Sequence, residues 1–434
     1  MHCHPHRGQL FDGEHRHHPR RSVLPMERQY QIRDESLKAR LNKLLPALMK
    51  QCDIDFWIVI CKEYNEDPVF TTMIPANQLY GSRLSALAFA RKADGTVDAL
   101  NVARPNGRFD PFYKNTFSPK DADEGAQWAH IANVIKAYDP KKIAINVAEN
   151  CAMADGLTKH LYDKLAAAVG EEYVGRFVSA EALAIRWLET RTPEELLRYE
   201  AIYGLAVDIF EEGLSRRVIV PGKTHTSDVE WWLREEVHRL GLRESFANTV
   251  SIVRKGYPEL RASDVIMPGD LVHCDFGLFY LGLATDMQRM IYVLRDGEET
   301  APQGILDAYK ACNRFQDICA ENFVEGRTGN EVFRHAMEQA RAEGLRPMLY
   351  THPIGYRCHA PGTTIGLWDQ QREVPGRGDI ILYRNTCHAL ELNNTHYVPE
   401  WGHDVKIMQE ETIAFVEDGK LHFYGPTRDV LRCI

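Results

Sequence analysis

The chain has 434 residues, a formal net charge of −9, 44% hydrophobic and 26% charged residues. This ordinary globular composition leaves room for two or three cores, and the negative balance argues against nucleic acid as the main partner. The longest apolar run, Phe56–Cys61, is far short of a membrane span, and the ten scattered cysteines form no Cys-x-x-Cys pair. Without an apolar leader, a cytoplasmic protein with free thiols and no membrane partner is expected.

Residues 1–26 read as a disordered His-rich tail, carrying His2, His4, His6, His15, His17 and His18. Such a tract can also bind metal adventitiously. Met26 is a candidate second translation start. Residues 27–190 read as a smaller α/β domain. A helix with apolar positions Leu37, Leu41, Leu44, Leu45 and Leu48 leads into the buried strand Phe56–Cys61. Leu84–Ala90 and Val97–Val102 flank an Asp94-Gly95 turn, a hairpin signal. A helical stretch at 126–138 precedes a strand at 142–147. No Gly-rich phosphate loop and no clustered acid–His set occurs here, so no chemistry is expected from this domain directly.

Residues 191–434 read as a second domain. Thr192-Pro193-Glu194-Glu195 is a strong helix start, with Thr as N-cap, Pro at the first position and Glu three residues after the Thr. Ser227-x-x-Glu230 and Thr328-x-x-Glu331 read as further caps, the first opening a helix that contains Trp231 and Trp232, expected as core and domain contacts. Helices combined with antiparallel strands make the class α+β.

Between them lies the stretch around which the domain is organised, Pro268–Val293. The apolar runs Leu271–Phe276 and Met287–Val293 flank a Gly-containing centre, which predicts a β-hairpin. A two-residue turn at Tyr280–Leu281 would put Asp275 opposite Asp286, whereas a bulge at Gly277 or Gly282 would shift the register by one. Like charges facing across a strand pair are destabilising, and one or two divalent cations would compensate. Edge aspartates facing solvent are the alternative. Three later stretches concentrate ligand-type side chains: His352-Pro-Ile-Gly-Tyr-Arg-Cys-His359, Cys387–Asn393 with Glu391, and Val405–Phe415 with Glu410-Glu411.

The ordered set of two aspartates eleven residues apart, a His with Gly three and His seven residues on, and then two strand glutamates resembles the pita-bread metallohydrolases. That family includes methionine aminopeptidase, aminopeptidase P, prolidase and creatinase. The resemblance covers the C-terminal half, and the N-terminal domain is similar to the one preceding the catalytic domain in the creatinase, prolidase and aminopeptidase P branch. It implies that Asp275, Asp286, His352, Glu391 and Glu410 are metal ligands, with Glu391 shuttling a proton and His359 steadying the substrate carbonyl. Glu410 is preferred over Glu411 because Ile413 matches the family's strand, and strand neighbours face opposite ways.

Two cations in such a site can activate water and clamp a tetrahedral intermediate. Four carboxylates against one imidazole favour manganese, with cobalt, iron or zinc as alternatives. The expected activity is an Xaa-Pro aminopeptidase or prolidase type of hydrolysis of small peptides by a homodimer. Peptidase members of the family carry a further histidine ahead of the first aspartate strand, and residues 251–264 contain none. Arg254, Lys255, Tyr257 or Arg261 are candidate substitutes, and His273 suits a core or supporting role. Trp368 and Asp369 are candidate pocket residues. The alternatives are a creatinase-like hydrolase of a non-peptide C–N bond and a catalytically weak relative that binds peptide or protein.

Overall fold

The computed structural model describes residues 23–118, 123–425 and 428–434; most of the His-rich tail, residues 1–22, lies outside them. Met26 does not belong to a tail: it opens the first helix, Met26–Ala39. That helix runs through a π turn at Arg40–Leu44 into Leu45–Gln51.

The strand Phe56–Lys62 explains the first half of the molecule. Its side chains alternate between two cores, Trp57, Val59 and Cys61 on one side and Phe56, Ile58 and Ile60 on the other. A strand apolar on both faces needs helices on both faces. It pairs antiparallel with Leu84–Arg91 and parallel with Ile143–Ile145, near the middle of a six-stranded mixed sheet. Helix Glu124–Tyr138 packs on one face, and Leu45–Gln51 and Glu181–Glu189 on the other.

In the second half, Thr192 and Glu195 exchange hydrogen bonds at the start of helix Pro193–Gly213: Glu195 N–H to Thr192 Oγ1 (3.3 Å) and Thr192 N–H to Glu195 Oε2 (2.8 Å). Thr328 and Glu331 repeat the pattern for Gly329–Ala342. The Ser227 cap is corrected. Helix Thr226–Arg239 begins after His225, whose N–H donates to Asp228 Oδ2 (2.8 Å), leaving Ser227 inside the first turn. Trp232 packs against the core, but Trp231 is half exposed beneath Arg234.

These helices sandwich a ten-stranded sheet. One face packs on Pro193–Gly213 and Thr226–Arg239, and the other on Gln303–Asn322 and Gly329–Ala342. The main path runs Pro347–Leu349, Thr386–Val398, His403–Phe415, Met287–Tyr292, Leu271–Phe276, Thr249–Arg254, Tyr257–Arg261. No helix among the described residues is long and apolar enough to cross a membrane.

The halves meet at Arg40. This side chain is fully buried and donates to the backbone carbonyls of Thr190 and Trp187 and to Glu195 Oε2 (2.8 Å). Its guanidinium lies 4.5 Å from the Trp187 ring and 5.2 Å from Tyr356, which Arg191 approaches at 4.8 Å.

Candidate metal centre

Between Asp275 and Asp286 the expected register is corrected. Strand Leu271–Phe276 pairs with Met287–Tyr292 so that Asp275 faces Gln288. The tight turn is Leu281-Gly282, with φ of 53° and 84°, one residue later than Tyr280–Leu281. Shifting a two-residue turn by one changes every pairing on the hairpin. Gly277 makes the crossing possible, since a Cβ there would lie 2.1 Å from the Thr285 carbonyl oxygen and 2.3 Å from Ser245 Oγ. The chain thereby leaves the large sheet for a small three-stranded one and returns at Asp286. There the Asp286 N–H donates to Thr412 Oγ1 (3.1 Å), and that hydroxyl donates to the Asp286 carbonyl (2.8 Å).

The new register builds a row. Thr249, Asp275, Gln288, Glu410 and Glu391 are paired in succession across five adjacent strands. Directly paired residues share a face. His352 pairs with Ala389, two residues from Glu391, and so joins the same face. Its Nδ1 lies 3.0 Å from the Pro353 carbonyl oxygen. A neutral ring donating there turns the Nε2 lone pair toward the carboxylates. That Nε2 lies 3.6 Å from Asp286 Oδ2, 3.7 Å from Glu391 Oε2 and 3.7 Å from Glu410 Oε1. Glu411 points to the opposite face, where Arg289 and the Tyr203 hydroxyl hold it.

Gln288 gives no sequence signal, yet it is central. Its amide N–H groups reach Glu391 Oε1 (2.6 Å) and Glu410 Oε2 (2.9 Å), while its oxygen lies 2.9 Å from His273 Nε2. His273, whose Nδ1 is 3.3 Å from Ser251 Oγ, is buried, which pushes its pKa down to about 4. It therefore supports the row as a neutral ring. His273–Gln288–Glu391/Glu410 is one connected chain of hydrogen bonds.

What the row lacks is positive charge. Burial, then the Asp286 and Glu391 charges, hold the Asp275 carboxyl well above the usual carboxylate range, and burial with three neighbouring carboxylates does the same to Glu410. Burial, opposed by His352 and reinforced by Asp286, pushes Glu391 up to about 7. Burial opposes it, but the Asp286 and Glu391 carboxylates close to the ring shift His352 upward too. Asp275 Oδ1, Asp286 Oδ1, His352 Nε2 and Glu410 Oε1 are all buried without a hydrogen-bond partner. Donor atoms of Asp286, His352 and Glu410 lie within 4.8 Å of one another. Orphaned lone pairs converging on one point, four of five groups carboxylates, fit divalent cations.

His359 stands at the rim, its ring centroid 4.5 Å from that of His352 and nearly perpendicular to it. Burial and the neighbouring His352 ring lower its pKa. It lines a cavity of about 560 Å³ together with Cys358, Arg357, Ser245 and Phe246, and with Glu66, Pro68, Thr71 and Met153 from the N-terminal half. The N-terminal half thus supplies cleft wall, a contribution its lack of acid–His clusters did not signal. Of the candidate substitutes for the missing histidine, two are already engaged. Arg254 is bidentate on Asp270 (2.6 and 2.7 Å), and Arg261 pairs with Asp264 (2.7 Å). Tyr257 and Lys255 are exposed and do not line the cavity beside His359. Trp368 (72% exposed) and Asp369 do not line that cavity either.

A "Putative Xaa-Pro aminopeptidase" of Mycoplasma pneumoniae is 28% identical over 194 residues, 44% of this chain and 53% of that protein. The chain thus spans about half the length of that relative. The X-Pro aminopeptidase from Thermotoga maritima superposes with a TM-score of 0.63 at 15% identity, covering 89% of this chain and 100% of that one. The N-terminal domain of the FACT complex subunit SPT16 from chickpea does so with 0.56 at 13% identity, covering 92% and 99%. The fold is the two-domain pita-bread architecture, α+β with a smaller N-terminal α/β domain. The family model "Metallopeptidase family M24" matches residues 200–416, half of the sequence, including the whole carboxylate row; the chain belongs to metallopeptidase family M24.

Proposed function

We propose that the protein is a metal-dependent aminopeptidase of the Xaa-Pro aminopeptidase and prolidase type, hydrolysing an N-terminal amide bond of small peptides. The observation that carries this reading is the convergence of Asp275, Asp286, His352, Glu391 and Glu410 with four buried lone-pair atoms left unpaired. These five residues would hold two divalent cations, whose chemistry is to make water nucleophilic at neutral pH and to polarise the scissile carbonyl. Manganese is the expectation from the oxygen-rich set.

Glu391, a part-buried carboxylate beside His352, is suited to take a proton and return it to the leaving amine. Gln288 fixes one of its oxygens and leaves the other toward His352. His359, at the cavity rim, donates where negative charge develops on the carbonyl oxygen. The cleft walls from both halves exclude water around a short peptide. The resemblance adds a homodimer, and the free thiols of the described cysteines fit a cytoplasmic setting.

Digestion of a mixed peptide library by manganese- or zinc-loaded protein tests this. Loss of N-terminal residues is expected, and Glu391→Ala should reduce the rate by about 10²–10⁴-fold. An untouched library under both metals would overturn the reading. One observation favours a second reading, peptide or protein binding without turnover: residues 251–264 hold no histidine, and Arg254 and Arg261 are tied to acids. Retention of peptides by an inactive, metal-loaded protein would establish it.

A further inference from the structure

Cys358 is out of place for a packing residue. Six described cysteines are buried, and Cys61, Cys274, Cys312, Cys319 and Cys387 sit in apolar cores, where a thiol behaves as a small hydrophobe. Cys358 belongs to none of those cores. Its Sγ instead lies 2.9 Å from Asp286 Oδ2, inside the carboxylate cluster. Sγ and ring nitrogens of His352 and His359 lie within 4.8 Å of one another, and His352 is also common to the Asp286–Glu410 group. A second observation that points to an ion here is the set of unpartnered atoms on the same groups, His352 Nε2, Asp286 Oδ1 and Glu410 Oε1, on side chains at least nine-tenths buried.

The loop holding the thiol is anchored. Tyr356 is wedged between the Arg40 and Arg191 guanidinium groups, and Gly355 leaves only enough room for Arg191, 3.3 Å from where a Cβ would be. The backbone on the N-terminal side of Cys358 is therefore held by groups outside the centre. The thiol is presented, not merely tolerated.

We propose that Cys358 is a thiolate ligand of the metal centre, giving it a soft pole beside His352 and selecting zinc, cobalt or iron over manganese. This inference rests on the metal-centre reading above. On coordination the thiol proton leaves to solvent, the Cys358–Asp286 hydrogen bond is replaced by the metal bond, and Asp286 Oδ2 is freed for the ion. Thiolate ligands select softer cations, whereas an all-carboxylate and imidazole set leaves manganese competitive.

The test is X-ray absorption at the zinc edge on full-length protein loaded with substoichiometric zinc. A sulfur neighbour at about 2.3 Å is expected beside nitrogen and oxygen at about 2.0–2.2 Å. Cys358→Ser should lose the sulfur shell, keep bound metal, and shift zinc-over-manganese competition toward manganese by about tenfold or more. Cys358→Ala serves if the serine variant is misfolded by circular dichroism. Thiols and histidines elsewhere, the N-terminal tract included, cannot mimic this result because both variants leave them in place. Bound zinc with a shell of nitrogen and oxygen alone overturns the thiolate assignment and leaves the metal centre standing. A sulfur shell that survives both substitutions also overturns it. Failure to bind any divalent cation overturns both.

Discussion

Two faces of the same strands treat buried carboxylates in opposite ways. On one face Glu411 receives two hydrogen bonds from Arg289, Nε to Oε1 and Nη2 to Oε2, each 3.0 Å, and a third from the Tyr203 hydroxyl. On the other face its neighbour Glu410 stands with Asp275, Asp286 and Glu391 and receives one protein hydrogen bond, from the Gln288 amide. A carboxylate that serves the fold is supplied with its own cation. The carboxylates of the proposed metal centre are grouped without one, and a divalent cation would offset that deficit.

This contrast can be broken from either side. The largest stability effect belongs to the closed face: Glu411→Ala strands Arg289 in the interior and should cost about 3–5 kcal/mol in urea unfolding. A loss below about 1 kcal/mol would mean that the pair is as weak as a surface bridge. On the open face the effect depends on pH. The folded-state pKa values of Asp275, Glu391 and Glu410 lie above their unfolded values, so the unfolded chain ionises first. Metal-free protein should therefore be most stable below about pH 4 with respect to these groups, and should lose that stability as pH rises through about 7, by about 3 kcal/mol for Glu391 alone. Saturating divalent cation should remove the slope. Thermal melts from pH 5 to 8 with and without metal check this, and parallel curves would sink it. The smallest effect is at Gln288. Gln288→Leu keeps every charged ligand but leaves Glu391, Glu410 and His273 without their shared amide, so metal affinity should fall about 10–100-fold in a competition titration.

The sequence made parts of this arrangement readable and concealed others, for definite reasons. Helix starts at Thr192 and Thr328 were legible because a capping box is a local device, closed within four residues. The start at His225 was hidden because Ser227 offered an equally good local pattern that the tertiary structure did not use. The hairpin was legible but its register was not, since Leu281 adopts a left-handed conformation that a leucine does not advertise. Gln288 and Cys358 were the least visible. One is neutral and the other is usually a packing residue, and only the pairing of distant strands shows what they touch.

The clasp made by Arg40 bears on how such a protein can be divided or inherited. A fragment beginning at residue 191 would keep Glu195 in its helix cap but lose the guanidinium 2.8 Å away, leaving Arg191 at 3.9 Å as its nearest cation. It would also remove one side of the wedge around Tyr356, four residues along the chain from His352 and two from Cys358. The N-terminal half is thus a splint for the loop at the centre. Exchanging it for another protein's half would require the recipient to bring an arginine to the same place.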